Sequence, residues 1–185
     1  MTAMPIVVAK EPSSSNAVPA QLARAPKLQA LWCYWRSKLA GRPVLPRADL
    51  VPHEIPELLP MLTLIERTPD GRLRYRLVGS KLVDAYGFEA SGKFLDQILS
   101  PARLKVAHLH AGTALSRARP TFSRTEYVSP TGLNLVNSRL NIPLADATGA
   151  LTLVLGGHMI EWSHALDAQF GDGGLVPRAD VLDVL

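Results

Sequence analysis

The chain has 185 residues, 47% of them hydrophobic, which suits one globular domain with a full core and room for tails. No run of about 18 or more apolar residues occurs, so no membrane span is expected, and Ile6-Val7-Val8-Ala9 is too short for the apolar stretch of a secretory leader. The net charge of +4 is scattered rather than gathered on a recognition helix, which argues against nucleic acid, and the single cysteine, Cys33, excludes an internal disulfide, speaks against a zinc site and fits a reducing cytoplasm.

Residues 1–22 are rich in Pro, Ser and Ala without a sustained period and read as a disordered tail. A helix is predicted over 27–40, with Leu28, Leu31, Trp32, Trp35 and Leu39 on one broad face, Gly41 as its stop and Pro43 beyond. Five prolines between 42 and 60 mark an ordered linker, so 23–60 forms an N-terminal helix with its linker. The core is expected over 61–162. It opens on a strand at 61–66, a turn at Thr68-Pro69-Asp70-Gly71, and a strand at 72–78 whose charged and apolar residues alternate. Arg72, Arg74 and Arg76 share one face of that strand and read as a solvated or partner-facing edge.

Gly79 breaks the alternation, and short helices follow near 80–86 and 94–99. Ser100 and Pro101 open a longer helix that runs to about Ala118, with Leu104, Ala107, His108, Ala111 and Leu115 as its apolar stripe and Arg119-Pro120 as its end. Three strands close the core at 121–129, 133–142 and 150–160, the first two joined by Ser129-Pro130-Thr131-Gly132. If that joint closes a regular hairpin, Tyr127 faces Asn134, Thr125 faces Val136 and Ser123 faces Ser138. With Leu140, Ile142, Leu153 and Leu155 these form the more apolar face, and Arg124, Glu126, Asn137 and Arg139 form the other; a slip of one residue exchanges the two sets. Residues 163–185, with Gly171, Gly173, Gly174 and Pro177, read as a flexible tail.

Catalytic signals are absent. Gly156-Gly157-His158 is not a phosphate loop, no Gly-x-Ser-x-Gly elbow occurs, and His53-Glu54 lacks the second histidine of a zinc-protease helix. No catalytic residue and no metal site is assigned, and the chain is read as a non-enzyme.

The order of strand, strand, short helices, long helix and three strands is that of a PAS domain. Leu31-Trp32-Cys33-Tyr34-Trp35, Gly41-Arg42-Pro43, Pro46-Arg47-Ala48-Asp49, Ile55-Pro56-Glu57-Leu58-Leu59-Pro60 and Arg74-Tyr75-Arg76-Leu77-Val78-Gly79 sharpen it. As a set, over residues 28–160, they resemble a family of small bacterial PAS proteins common in alphaproteobacteria. The resemblance implies an α+β fold, a five-stranded antiparallel sheet covered by short helices and one longer helix, with an amphipathic N-terminal helix. It also implies a sensory or regulatory role and a small apolar ligand held between sheet and helices. Candidate lining residues are Leu77, Tyr86, Phe94, Ile98, His108, Tyr127, Ser138 and Leu153; the same set would serve as ordinary core. His108 stands where haem-binding PAS proteins carry their iron ligand, so a haem-type sensor is one alternative and a ligand-free interaction adaptor another. Residues 91–96 lack the cysteine that a flavin adduct needs, and no particular cofactor is implied. The expected partners are a second copy of the chain, through Trp32, Trp35 and Leu39, and an unidentified signalling protein.

Overall fold

The computed structural model describes residues 6–9, 17–128, 134–162 and 176–185. A short strand β1 (Ile6–Ala9) precedes helix α1 (Pro26–Leu39), which starts on a proline whose missing N–H has no helical partner to lose. Leu28, Leu31, Trp32, Trp35 and Leu39 are all buried along one face of α1, as their spacing predicts. The helix ends at Ala40, which takes the left-handed conformation at φ 48°, one residue before the expected stop at Gly41.

The remaining elements are β2 (Leu45–Pro46), β3 (Leu62–Arg67), β4 (Leu73–Val78), α2 (Ser80–Tyr86), α3 (Pro101–Arg117), β5 (Thr121–Val128), β6 (Asn134–Ala145), β7 (Leu151–Trp162) and β8 (Val176–Val184). The sheet order is β1-β8-β5-β6-β7-β3-β4, with β2 paired to β6. Its five strands β4, β3, β7, β6 and β5 are antiparallel neighbours. β8 adds to β5 antiparallel, and β1 adds to β8 in parallel.

This corrects the reading of 163–185 as a flexible tail, because 176–184 is a paired strand that buries Asp180, Leu182, Asp183 and Val184. The alternation of Asp180, Leu182 and Val184 carries the inward period; the glycines upstream hid it. Ile6–Ala9 and the single-turn helix at Ala20–Leu22 likewise fall within the expected disordered tail. The joint at 129–132 lies outside the described residues.

Both faces of the sheet are covered. α1 packs on one face against Leu62, Phe122, Leu140, Ile142, Leu144, Leu153 and Leu155. α2 and α3 lie on the other, where Leu82, Ala111 and Leu115 meet Leu73, Tyr75, Val78 and Val154. Trp32, Trp35 and Leu39 are therefore consumed by the chain's own core, not held out for a partner.

Two adjacent glycines leave room on the two faces of β7, for α1 on one and for the Thr63 side chain of the neighbouring strand on the other. A Cβ on Gly157 would stand 2.5 Å from Leu31 Cδ2 of α1, and one on Gly156 would stand 2.5 Å from Thr63 Oγ1 on the opposite face. The loop after β6 is pinned by Asp146, whose carboxylate accepts from the hydroxyls of Thr148 and Thr152 and from the N–H groups of Thr148 and Ala150, holding its pKa down at about 2.

The arginine row on β4 is ion-paired. Arg72 forks onto Asp96 at 2.7 and 2.8 Å, and Arg74 and Arg76 both reach Glu66.

Replacing Gly157 by Ala should destabilise the chain by about 1–3 kcal/mol, since Leu31 must shift within a packed layer. Replacing Gly149, whose Cβ would meet open space at φ +86°, should cost about 1 kcal/mol through backbone strain alone. Urea unfolding of both variants checks the ranking.

Candidate functional site

The register of β5 and β6 decides which side chains enter the space under α3. Thr125 pairs with Asn137, Ser123 with Arg139 and Tyr127 with Leu135. The pairing expected from a regular hairpin is thus displaced by one residue, and the two faces exchange members. Ser123, Thr125, Tyr127, Asn137, Arg139 and Asn141 point toward α3, while Leu140, Ile142, Leu153 and Leu155 point toward α1. The physical reason is α1 itself, which demands a strongly apolar face of its own.

Inside, the side chains form a connected polar layer. His110 of α3 is buried and places Nε2 2.7 Å from Asp180 Oδ2 on β8. Asp180 Oδ1 accepts from the Thr125 hydroxyl at 2.7 Å. A carboxylate only accepts, so His110 carries its proton on Nε2, and its Nδ1 accepts from Ser123 Oγ at 3.2 Å and Arg139 Nη1 at 3.3 Å. Arg139 faces His158 across the β6–β7 ladder. His158 Nε2 sits 3.0 Å from Thr63 Oγ1 and its Nδ1 3.3 Å from the Asn137 amide, which turns its oxygen toward Arg139 Nη2 at 2.9 Å.

Burial lowers the pKa of His110; the Asp180 hydrogen bond opposes this and Arg139 adds to it. Burial, then Arg139, holds His158 well below the usual histidine value. Both shifts favour the neutral ring.

A cavity of about 40 Å³ opens within this layer, lined among others by Arg103, Arg139, Asn137, Asn141, His110 and His158. That is room for about three waters, against roughly 300–1,000 Å³ in pockets for drug-sized ligands.

Of the residues singled out from sequence, Tyr127 lines this cavity. Ser138 and Leu153 belong to the opposite face through the register displacement. Leu77 is 44% exposed on the outer side of β4, where it pairs with Leu64. Phe94 lies at the β4 edge beneath the Arg72 guanidinium, 3.8 Å from its ring centre. Ile98 packs partly buried against the α2–α3 cluster, one residue short of Leu99, which does line the cavity. The Tyr86 side chain lies outside the described residues.

His108 is exposed, because the buried stripe of α3 runs through Val106, His110, Ala111, Ala114 and Leu115. The haem alternative thereby loses its iron ligand. His110 does not replace it, since both its nitrogens are engaged and the cavity has no room for a porphyrin. Sequence reasoning missed His110, Arg139, Asn141, His158 and Asp180. The available signal was the period-two run Asn137, Arg139, Asn141, of which Asn137 and Arg139 were assigned to the face opposite the apolar set.

A model of the PAS domain matches residues 23–159, and the chain belongs to the PAS domain family, a family of sensory signalling modules. Among solved structures, one titled "Flavin Analogue Sheds Light on Light-Oxygen-Voltage Domain Mechanism" is 14% identical, covering 59% of this chain and 82% of that one at a TM-score of 0.44. A PAS domain of a protein from Colwellia psychrerythraea is 9% identical, covering 60% and 98% at 0.42. A light-state structure of the blue-light photoreceptor Aureochrome1 LOV is 14% identical, covering 60% and 87% at 0.39. A search of curated proteins gave no match.

Because both folded-state histidine values lie below that of an unfolded histidine, about 6.5, the unfolded chain takes up more protons as pH falls through that value. The stability these rings contribute is full above about pH 6.5 and declines below it. The unfolding free energy should fall between pH 7.5 and 5.5, and His158→Gln should flatten the decline. Denaturant titrations across that range check both. Asp180→Ala should cost about 2 kcal/mol or more, by leaving His110 and Thr125 without their buried acceptor.

Proposed function

We propose that this PAS protein senses a small polar molecule held in the cavity between α3 and β5–β7, and passes the state of that cavity on by contact with a signalling protein. The observation that carries the reading is the wall of that cavity, where polar groups from α3, β6 and β7 are buried in a hydrogen-bonded layer around an internal space. An occupant that binds two arrangements of this layer unequally shifts their populations. The apolar ligand expected from the family resemblance gives way to a polar one, because the apolar strand face belongs to α1.

We read the module as non-enzymatic. Ser123, His110 and Asp180 stand in the order of a hydrolase triad, yet the Ser123 side chain is fully buried and shares its imidazole nitrogen with Arg139. No substrate carbonyl can reach that hydroxyl.

A ligand-free adaptor is the second reading, favoured by the water-sized volume of the cavity. A homodimer also belongs to the proposal. Its contact is moved from Trp32, Trp35 and Leu39 to the exposed Leu77, which lies with Leu64 and Leu153 in an open groove on the outer face. A reducing, cytoplasmic setting is kept on the strength of the free, exposed Cys33.

Native mass spectrometry of protein purified without denaturation, paired with an absorption spectrum, tests the sensor reading: a small, colourless bound mass is expected, and an empty protein would favour the adaptor. Light scattering tests the assembly. Leu77→Lys should convert a dimer to a monomer, and an unchanged dimer would move the contact elsewhere.

A further inference from the structure

Trp32 and Trp35 give most of their surface to the core, and both also line a second pocket, beside α1. It lies between residues 17–21, the C-terminal half of α1, and the segment 118–120 with Leu185. Its volume of about 480 Å³ falls within the roughly 300–1,000 Å³ of pockets that hold drug-sized ligands. Val18, Leu39, Pro43 and Pro120 give it hydrocarbon walls.

The indole N–H of Trp32 and that of Trp35 are both buried with no acceptor among the described residues. An indole nitrogen only donates, so each is a buried donor whose hydrogen bond is unmade. The sheet beneath α1 meets the two rings with hydrocarbon, among it Leu140, Ile142 and Leu155, and that layer offers no side-chain acceptor. The pocket is the side from which an acceptor can come. The rings stand 5.0 Å apart centre to centre, so one occupant can lie along both.

Charge does not select this occupant. The guanidinium groups at the pocket are engaged: Arg42 on Asp49, Arg119 on the Leu185 carbonyl, and Arg36 over the Trp35 ring at 5.7 Å. What the walls offer is hydrocarbon, and what the buried donors lack is a carbonyl-type oxygen.

We propose that this pocket binds a neutral, apolar ring compound carrying a carbonyl group, whose oxygen accepts from the indole N–H of Trp32 or Trp35. Both nitrogens are closed to solvent, so a turn of the ring toward the occupant is part of binding. The hydrogen bond that the free protein leaves unmade is made in the complex. The site is separate from the cavity under α3 and does not depend on what that cavity holds.

The test uses the full chain labelled with nitrogen-15 tryptophan. Its three indole N–H signals are assigned by single Trp→Phe replacements, and Trp162, on β7 and away from the pocket, is the internal control. The probes are benzophenone and diphenylmethane, which share two rings and differ in the carbonyl. Benzophenone should bind saturably, with the Trp32 or Trp35 indole proton moving downfield and Trp162 unmoved. Diphenylmethane should bind about fivefold more weakly or worse and leave those protons in place. Trp32→Phe or Trp35→Phe, whichever removes the donor used, should weaken benzophenone by the same factor and leave diphenylmethane unchanged. If these variants fail to fold, as circular dichroism would show, the two probes on the unaltered chain still decide. Equal binding of both probes with the indole protons unmoved would overturn the proposal, and so would no binding of either. Neither result bears on the cavity under α3, whose occupant is read by native mass.

Discussion

A guanidinium placed between a sheet and a helix needs a counter-charge within reach, and the position of Arg139 on the inner face of β6 imposes that need on everything around it. A carboxylate, Asp180, reaches this layer through His110, and it arrives because β8 pairs with β5 and sets Asp180 opposite Thr125. His110 bridges the two charges, taking a hydrogen bond from the cation and giving one to the anion. α3 is thus fixed in rotation about its own axis, with His110 inward and His108 outward. The small cavity is what this arrangement leaves between the helix and the strands. The C-terminal strand is therefore part of the domain's electrostatics, not an appendage to its edge.

Much of the fold was legible in the sequence because its elements obey local rules. The Thr68–Arg72 turn, the Ser100-Pro101 helix start and the apolar face of α1 each rest on residues a few positions apart, and the structure forms all three. The antiparallel core follows from the same alternation. What was not legible depends on contacts distant in sequence. The faces of β5 and β6 are set by their pairing and by α1, some 100 residues upstream, and a period-two pattern is blind to which of two faces a helix will cover. Polar residues at 137, 139 and 141 look solvated until the elements that bury them are placed. The same blindness put Leu77 inside, when the bulge between Leu64 and Ile65 turns it outward.

The site shows the difference between a residue type and a residue environment. His108 and His110 are two positions apart on α3, and only packing tells the exposed ring from the buried one. Nothing local marks Asp180, whose role is defined by partners at 110 and 125. Tyr127, by contrast, kept its expected place because β5 holds its face and the displacement in register falls on β6.

The outer strand β4 carries a consequence for assembly. The N–H and C=O of Tyr75 are already bonded to Lys93 and Gly92, and the Val78 N–H to the Ser91 hydroxyl. Beside them, Arg72 and Arg74 lie over Phe94 while held by Asp96 and Glu66. A strand from another molecule finds no free ladder there to extend, and the fixed charges disfavour its approach. On this side the sheet is a finished edge, so whatever the domain meets, it meets face-on.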